Sequence, residues 1–163
     1  MIFVTVGTHQ QPFGRLLDEV DRLVEAGAIT EEVFCQSGGG RSPRVPSAPL
    51  LPYEEMQRRL RSASLVVSHG GPGTVMSALA AERPLVLVPR RRAFGEHVDD
   101  HQVRFCRLVG ARNGVPVVED IADLAGAIGR ARATPPRRGA AHGEIPEGVA
   151  NLGRIIGELL RAR

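Results

Sequence analysis

The sequence predicts an α/β fold: a Rossmann-like parallel sheet with helices on both faces. Two observations predict it. Short β-branched runs alternate with longer stretches of helical period, as strands and crossover helices do. In the middle of the chain a strand passes through a glycine loop directly into a helix, between Leu65 and Leu79. The length, 163 residues, suits one domain with a real core.

The elements follow in order. Ile2 to Val6 reads as the first strand. Pro12 opens a helix, its fixed φ suiting a first turn, and Leu16, Leu17, Val20, Leu23 and Val24 recur at helical spacing. Glu32 to Gln36 is the second strand. Ser37 to Leu50, rich in Gly, Pro and Ser, is a loop. A short helix covers Glu54 to Arg61, and Leu65 to Val67 is the third strand, whose loop leads into a helix ending near Ala81. Leu85 to Val88 is the fourth strand, stopped by Pro89. Arg90 to Asp99 is a loop, Asp100 to Val109 a helix, Val115 to Val118 a last strand and Ile121 to Ala131 a helix. Residues 1–133 thus form the ligand-binding domain and residues 134–146, with Pro135, Pro136 and two glycines, a flexible linker. Residues 147–163 form a C-terminal helix with Leu152, Ile155, Ile156, Leu159 and Leu160 on its apolar face. That face packs on the sheet or docks on a partner. The chain has no internal repeat.

Composition narrows the class. Hydrophobic residues make up 42% and charged residues 24%, an ordinary globular balance. The apolar runs are strand-sized, far short of the ~20 residues that span a bilayer. Met1 leads straight into a strand pattern with no basic n-region, which predicts no signal peptide and a cytoplasmic protein. Cys35 and Cys106 fall in a strand and a helix and read as buried, reduced thiols. The net charge is +3, and every basic residue is Arg, a pattern of composition bias. The arginines group at 58, 59 and 61, at 90–92, and at 130, 132, 137 and 138. Aromatics are 4% with no Trp, too few for the stacking a nucleic-acid binder needs, so an anionic membrane surface suits these clusters better.

Two segments carry chemistry. In Ser68-His69-Gly70-Gly71-Pro72-Gly73-Thr74 a helix begins on a glycine loop. Free N–H groups and the positive end of the dipole there suit a diphosphate. The spacing is neither G-x-G-x-x-G nor a P-loop, which needs Lys, and a tight turn that needs glycine for its geometry would look the same. The second segment, Pro89 to Gln102, crowds polar side chains at the end of the fourth strand, outside the carboxyl edge where open α/β sheets bind ligands. Carboxylates and a carboxamide there match the paired donors and acceptors of a sugar ring. His97 and His101 are spaced i, i+4 like zinc ligands, but the Glu of H-E-x-x-H is missing, so no metal is expected. Asp99 and Asp100 also suit a plain helix start, where acids complement the dipole.

These stretches, with Val4-Thr5-Val6-Gly7-Thr8 and Arg83 to Pro89, resemble the family 28 glycosyltransferase C-terminal domain over residues 1 to about 110. Phe94-Gly95-Glu96-His97-Val98-Asp99-Asp100-His101-Gln102 is similar to its free-standing bacterial form in exopolysaccharide and capsule synthesis. That form is akin to the small subunit of the dolichol-pathway N-acetylglucosaminyltransferase. The resemblance implies one half of a GT-B enzyme, the donor-binding subunit of an inverting, metal-independent transferase with no cofactor. It implies that Gly7, Thr8, Gly70, Gly71, Gly73 and Thr74 hold the diphosphate of a UDP-sugar. Asp100, His101 and Gln102 would read the donor sugar, and Leu51-Pro52-Tyr53 would lie by the uracil. Many relatives carry a ribose-binding Glu three residues after the loop Thr; here that position is Ser77, leaving Ser77 or Glu96 to substitute. His97 and Glu96 are the candidate catalytic residues. The implied partners are a lipid-linked saccharide acceptor and a membrane-anchored acceptor-binding subunit, and the latter holds the chain at the inner face of the membrane. A non-catalytic nucleotide-binding module is the alternative, and a structural or nucleic-acid adaptor rests only on the arginines.

Overall fold

The computed structural model describes residues 1–40 and 43–133. Five strands form one parallel sheet: β1 (Ile2–Thr5), β2 (Val33–Gln36), β3 (Ser47–Ala48), β4 (Leu65–His69) and β5 (Leu85–Val88). Their order in space is β3-β2-β1-β4-β5, with Ile2 opposite both Val33 and Leu65, and Val66 opposite Leu85. The helices are α1 (Gly14–Glu25), α2 (Tyr53–Ser62), α3 (Pro72–Ala80), α4 (His101–Asn113) and α5 (Leu124–Ala133). The expected linker 134–146 and helix 147–163 lie outside the described residues.

Both faces of the sheet are buried, which is why the strands read as continuous apolar runs. Successive side chains point to opposite faces. Ile2 and Val4, Leu65 and Val67, and Val86 and Val88 therefore join one core with Leu16, Leu17 and Val20 of α1 and Leu124 and Ile128 of α5. Phe3, Val66, Leu85 and Leu87 join the other, with Leu60 of α2, Val75 and Ala78 of α3, and Phe105, Cys106 and Val109 of α4. Cys35 and Cys106 are free and buried, as expected, and burial pushes both thiols up to about 12.

The structure corrects the sequence reading in four places. First, α1 starts at Gly14, not Pro12. The carbonyls of Gln11 and Pro12 are taken by the Arg90 guanidinium, and Phe13 turns into the core. Second, the Ser37–Leu50 loop contains β3, a two-residue edge strand. It is held by Cys35 N–H to Pro46 O and Ser37 N–H to Ala48 O, both at 2.9 Å. A proline can accept at such an edge although it cannot donate. Third, Val115–Val118 is no strand but a single bridge, Leu87 to Val117. Pro116 has no N–H to continue the ladder.

The fourth correction concerns the arginines. Arg90 is only 1% exposed, so the 90–92 cluster is not a basic surface patch. Elsewhere acids hold the arginines: Glu55 pairs with Arg58 and Arg59, Glu119 with Arg91 and Arg107, and Glu31 with Arg132. Arg137 and Arg138 lie outside the described residues. Among the described residues, no helix is long and apolar enough to cross a membrane.

Candidate functional site

Chain order reverses at β1: β2 and β3 lie on one side of it, β4 and β5 on the other. Ligands bind open α/β sheets at such a switch point, beyond the carboxyl ends of the strands. There β1 runs into Val6-Gly7-Thr8 and β4 into Gly70-Gly71. The Gly7 turn has φ +76, a left-handed conformation that glycine adopts without strain. Gln36, at the end of β2, fixes it. Its Oε1 accepts from Gly7 N–H at 3.0 Å and from Thr5 Oγ1 at 2.7 Å, while its Nε2 donates to Gly7 O and Pro49 O.

His69, the last residue of β4, lies between the two glycine turns. A Cβ on Gly7 or on Gly71 would each stand 2.3 Å from His69 Nε2, so both glycines make room for the imidazole. A Cβ on Gly70 would stand 2.6 Å from Cys106 Sγ. Gly73 differs: it is exposed, and a Cβ there meets nothing within 4 Å. Three of the four expected diphosphate glycines in positions 7, 70, 71 and 73 are thus demanded by packing, and one is left facing open space. Helix α3 begins at Pro72 with no side-chain cap on Gly71, so its first-turn N–H groups stand open to a ligand at Gly73 and Thr74. Ser77 Oγ donates to Gly73 O at 3.1 Å and accepts from Gln57 Nε2.

Two hollows meet at this point. One, of about 320 Å³, is lined by Gly7, Thr8, Gln36, Leu51, Tyr53, Met56, His69 and Thr74. The other, an open cleft of about 830 Å³, is lined by Thr8, His9, Gln10, Gln11, His69, Val98 and Gln102. Thr8 and His69 belong to both. The motif alone gives His69 no role; its place directly before paired glycines is the signal for one.

Burial and the nearby Arg90 charge push His69 down to about 4, so it is neutral at pH 7. In the unfolded chain it would titrate near the ordinary 6.5. Its folded value lies below the unfolded one, so this group's contribution to stability is complete above pH 6.5 and is lost as pH falls from 6.5 toward 4. Wild type is expected to lose on the order of 3 kcal/mol across that window. Urea unfolding from pH 4 to 7 checks this, and a His69→Gln variant should show a clearly flatter profile over the same range.

The polar cluster after β5 is built around Arg90. Its guanidinium donates to Val6 O at 2.8 Å, Gln11 O at 2.7 Å and Glu96 O at 3.0 Å, and its face lies 4.8 Å from the Phe13 ring. Arg90 therefore ties the β1 turn to the 90–102 segment. Burial lowers it to about 10, which leaves it charged at neutral pH. Glu96, 3% exposed, accepts from Arg15 through both oxygens, at 2.9 and 3.0 Å, and from Arg91 N–H at 3.0 Å. This is a clasp between α1 and the loop, with three donors of the protein already on the buried carboxylate. The pairing spans 81 positions, which no local pattern reveals.

Gln102, 4% exposed, lies at the floor of the large cleft. Its Oε1 accepts from Arg90 N–H at 3.2 Å, and among the described residues its Nε2 donates to nothing. Asp100 is exposed and accepts from Arg92 N–H at 2.9 Å. His97 and His101 gather on Asp99, with His101 Nδ1 2.5 Å from Asp99 Oδ1 and His97 Nδ1 3.5 Å from it. The His97 ring also packs 4.4 Å from that of His9. Burial, then the neighbouring His101 and His9, push His97 below its ordinary value.

The family model for the glycosyltransferase family 28 C-terminal domain matches residues 1–141. The chain belongs to that family. Among solved structures, this family 28 domain is similar to MurG of Acinetobacter baumannii, with TM-score 0.52 and 15% identity over 95% of this chain and 49% of that one. It is also similar to the kitacinnamycin glycotransferase, with TM-score 0.52 and 16% identity over 94% of this chain and 38% of the other. At these identities the likeness shows the fold, and the domain spans about half or less of each of these proteins. A search of curated protein sequences finds no match.

Proposed function

We propose that this family 28 domain is the donor-binding half of an inverting, UDP-sugar-dependent glycosyltransferase that acts on a lipid-linked acceptor. The observation that carries the reading is the pair of hollows joined at Thr8 and His69, with the uncapped start of α3 beside the junction. A nucleoside diphosphate sugar has the same three-part shape. The uracil lies by Leu51 and Tyr53, the diphosphate on the Gly73 and Thr74 amides, and the sugar in the cleft beside Gln102. An acceptor hydroxyl attacks C1 from the face opposite the UDP, the C1–O bond to phosphate breaks, and the leaving UDP takes that electron pair. Amides and the α3 dipole stabilise the charge as it develops, so the transfer itself needs no metal. The acceptor's proton goes to a base of the acceptor half, because Arg15 holds Glu96 and the His97 side chain is 9% exposed among two other imidazoles. That acceptor half is a membrane-anchored partner, which keeps this domain at the cytoplasmic face in surface-polysaccharide synthesis.

A thermal-shift panel of UDP, UDP-sugars, GDP-sugars and NAD tests the donor class. UDP compounds alone should stabilise the chain, by about 2.7 kcal/mol at 100 times Kd. Gln102→Ala should leave UDP affinity near wild type and weaken UDP-sugar binding by about 1–3 kcal/mol. The same variant should lose stability, because the buried Arg90 N–H loses its acceptor. Equal losses for UDP and UDP-sugar would remove Gln102 from the sugar subsite.

A further inference from the structure

We infer that His97, Asp99 and His101 form a binding site for a divalent transition-metal ion of the zinc class, at the rim of the large cleft. The inference goes beyond the transferase reading and does not rest on it. Each of the three residues offers one ligand atom, and these atoms all lie within 4.8 Å of one another. Zinc bonds of about 2.0–2.2 Å place tetrahedral ligand atoms roughly 3.4 Å apart. The separation between His97 Nδ1 and Asp99 Oδ1 is already 3.5 Å.

The sequence pattern H-x-D-x-H builds this cluster from one short stretch. His97 and Asp99 precede α4, and His101 is its first residue. The missing Glu of the metalloprotease motif is thus no bar to binding: Asp99 supplies a carboxylate between the two histidines. His97 is held in place, 9% exposed, its ring 4.4 Å from that of His9 and 4.6 Å, edge-on, from that of His101. Asp99 is nearly half exposed, so an ion reaches the cluster from solvent.

The backbone turn sets both imidazoles on this carboxylate: Asp99 N–H donates to His97 Nδ1 at 3.4 Å and His101 N–H to Asp99 Oδ1 at 3.0 Å, beside the 2.5 Å contact of His101 Nδ1 to the same oxygen. A metal ion engages both. Metal ligation takes a neutral imidazole nitrogen and an ionised carboxylate, so binding releases to solvent any proton held between them. Two imidazoles and one carboxylate select zinc, cobalt or nickel over magnesium or calcium, which take oxygen ligands. Three protein ligands leave a fourth position for water. His9 and Val98, which border the cluster, line the large cleft, so the bound ion would fix the cleft's rim.

The test uses the full chain, free of any affinity tag and stripped with a chelator. It is titrated with Zn²⁺ by calorimetry and with Co²⁺ by visible absorption. One equivalent should bind, with the ligand-field bands of low-coordinate Co²⁺, while millimolar Mg²⁺ gives no signal. Asp99→Asn and His101→Gln should each lower Zn²⁺ affinity more than tenfold. Melting curves of the metal-free variants, expected close to wild type, confirm that the fold is intact; Asp99→Asn preserves shape if the His101 variant fails to fold. No Zn²⁺ binding below millimolar, or equal affinity in wild type and Asp99→Asn, would overturn the assignment and leave a cluster that binds only protons. UDP plays no part in this readout, so the result stands apart from the donor reading.

Discussion

Replacing Gly73 by leucine is expected to abolish UDP binding and leave the fold in place. Gly73 follows Pro72 at the open start of α3, it is exposed, and an added Cβ meets no atom within 4 Å. Leucine is also a better helix former than glycine, so the local backbone gains. Among the described residues nothing demands glycine here; a ligand pressed against the first-turn amides, as proposed, would. A leucine side chain would occupy the volume assigned to the phosphates. The expected loss is at least 100-fold in UDP affinity, or about 2.8 kcal/mol. Calorimetric titration measures it, and unchanged circular dichroism and melting confirm the fold. Normal UDP binding by this variant would move the diphosphate away from α3.

The opposite outcome is expected at Gly7. Gly7→Ala should destabilise the whole domain by more than about 3 kcal/mol. The left-handed φ of +76 costs an L-residue about 1–2 kcal/mol, and a Cβ 2.3 Å from His69 Nε2 adds the cost of overpacking, about 1–3 kcal/mol. Gly71→Ala meets the same imidazole at the same distance but has φ −73, so it carries the packing cost alone. Adding His69→Ala should relieve the clash in both, so each double variant is more stable than the sum of its single losses. Urea midpoints for the three singles and two doubles measure this. A Gly7→Ala variant within 0.5 kcal/mol of wild type would show that the turn does not depend on glycine.

These contrasting glycines show what the sequence could and could not tell. Strand alternation and helix period fixed the parallel sheet and its helices, because Leu65–Val67 and Leu85–Val88 are buried on both faces and say so in every residue. The strand–glycine-loop–helix pointed to the right edge of the sheet. It could not separate Gly73, left open, from Gly70 and Gly71, because Cys106 comes from α4 and only the folded turn brings the His69 ring back against Gly71. Arg90 read as surface charge because its burial depends on carbonyls up to 84 positions away. Glu96 read as a free carboxylate for the same reason, its partner Arg15 being on α1. The brief β3 escaped periodicity because two residues have no period, whereas the apolar run Val115–Val118 read as a full strand although only Val117 bridges to the sheet.

The proposed function makes this domain the donor half of a transferase completed by a membrane-anchored acceptor half. Co-expression with a membrane-anchored product of a neighbouring gene, followed by assay of sugar transfer from a radiolabelled UDP-sugar to a lipid-linked acceptor, tests it most directly. This chain should move to the membrane fraction, transfer should appear only when both chains are present, and Gly73→Leu should abolish it. Robust transfer to the lipid-linked acceptor by the purified single chain would rule out a two-chain enzyme.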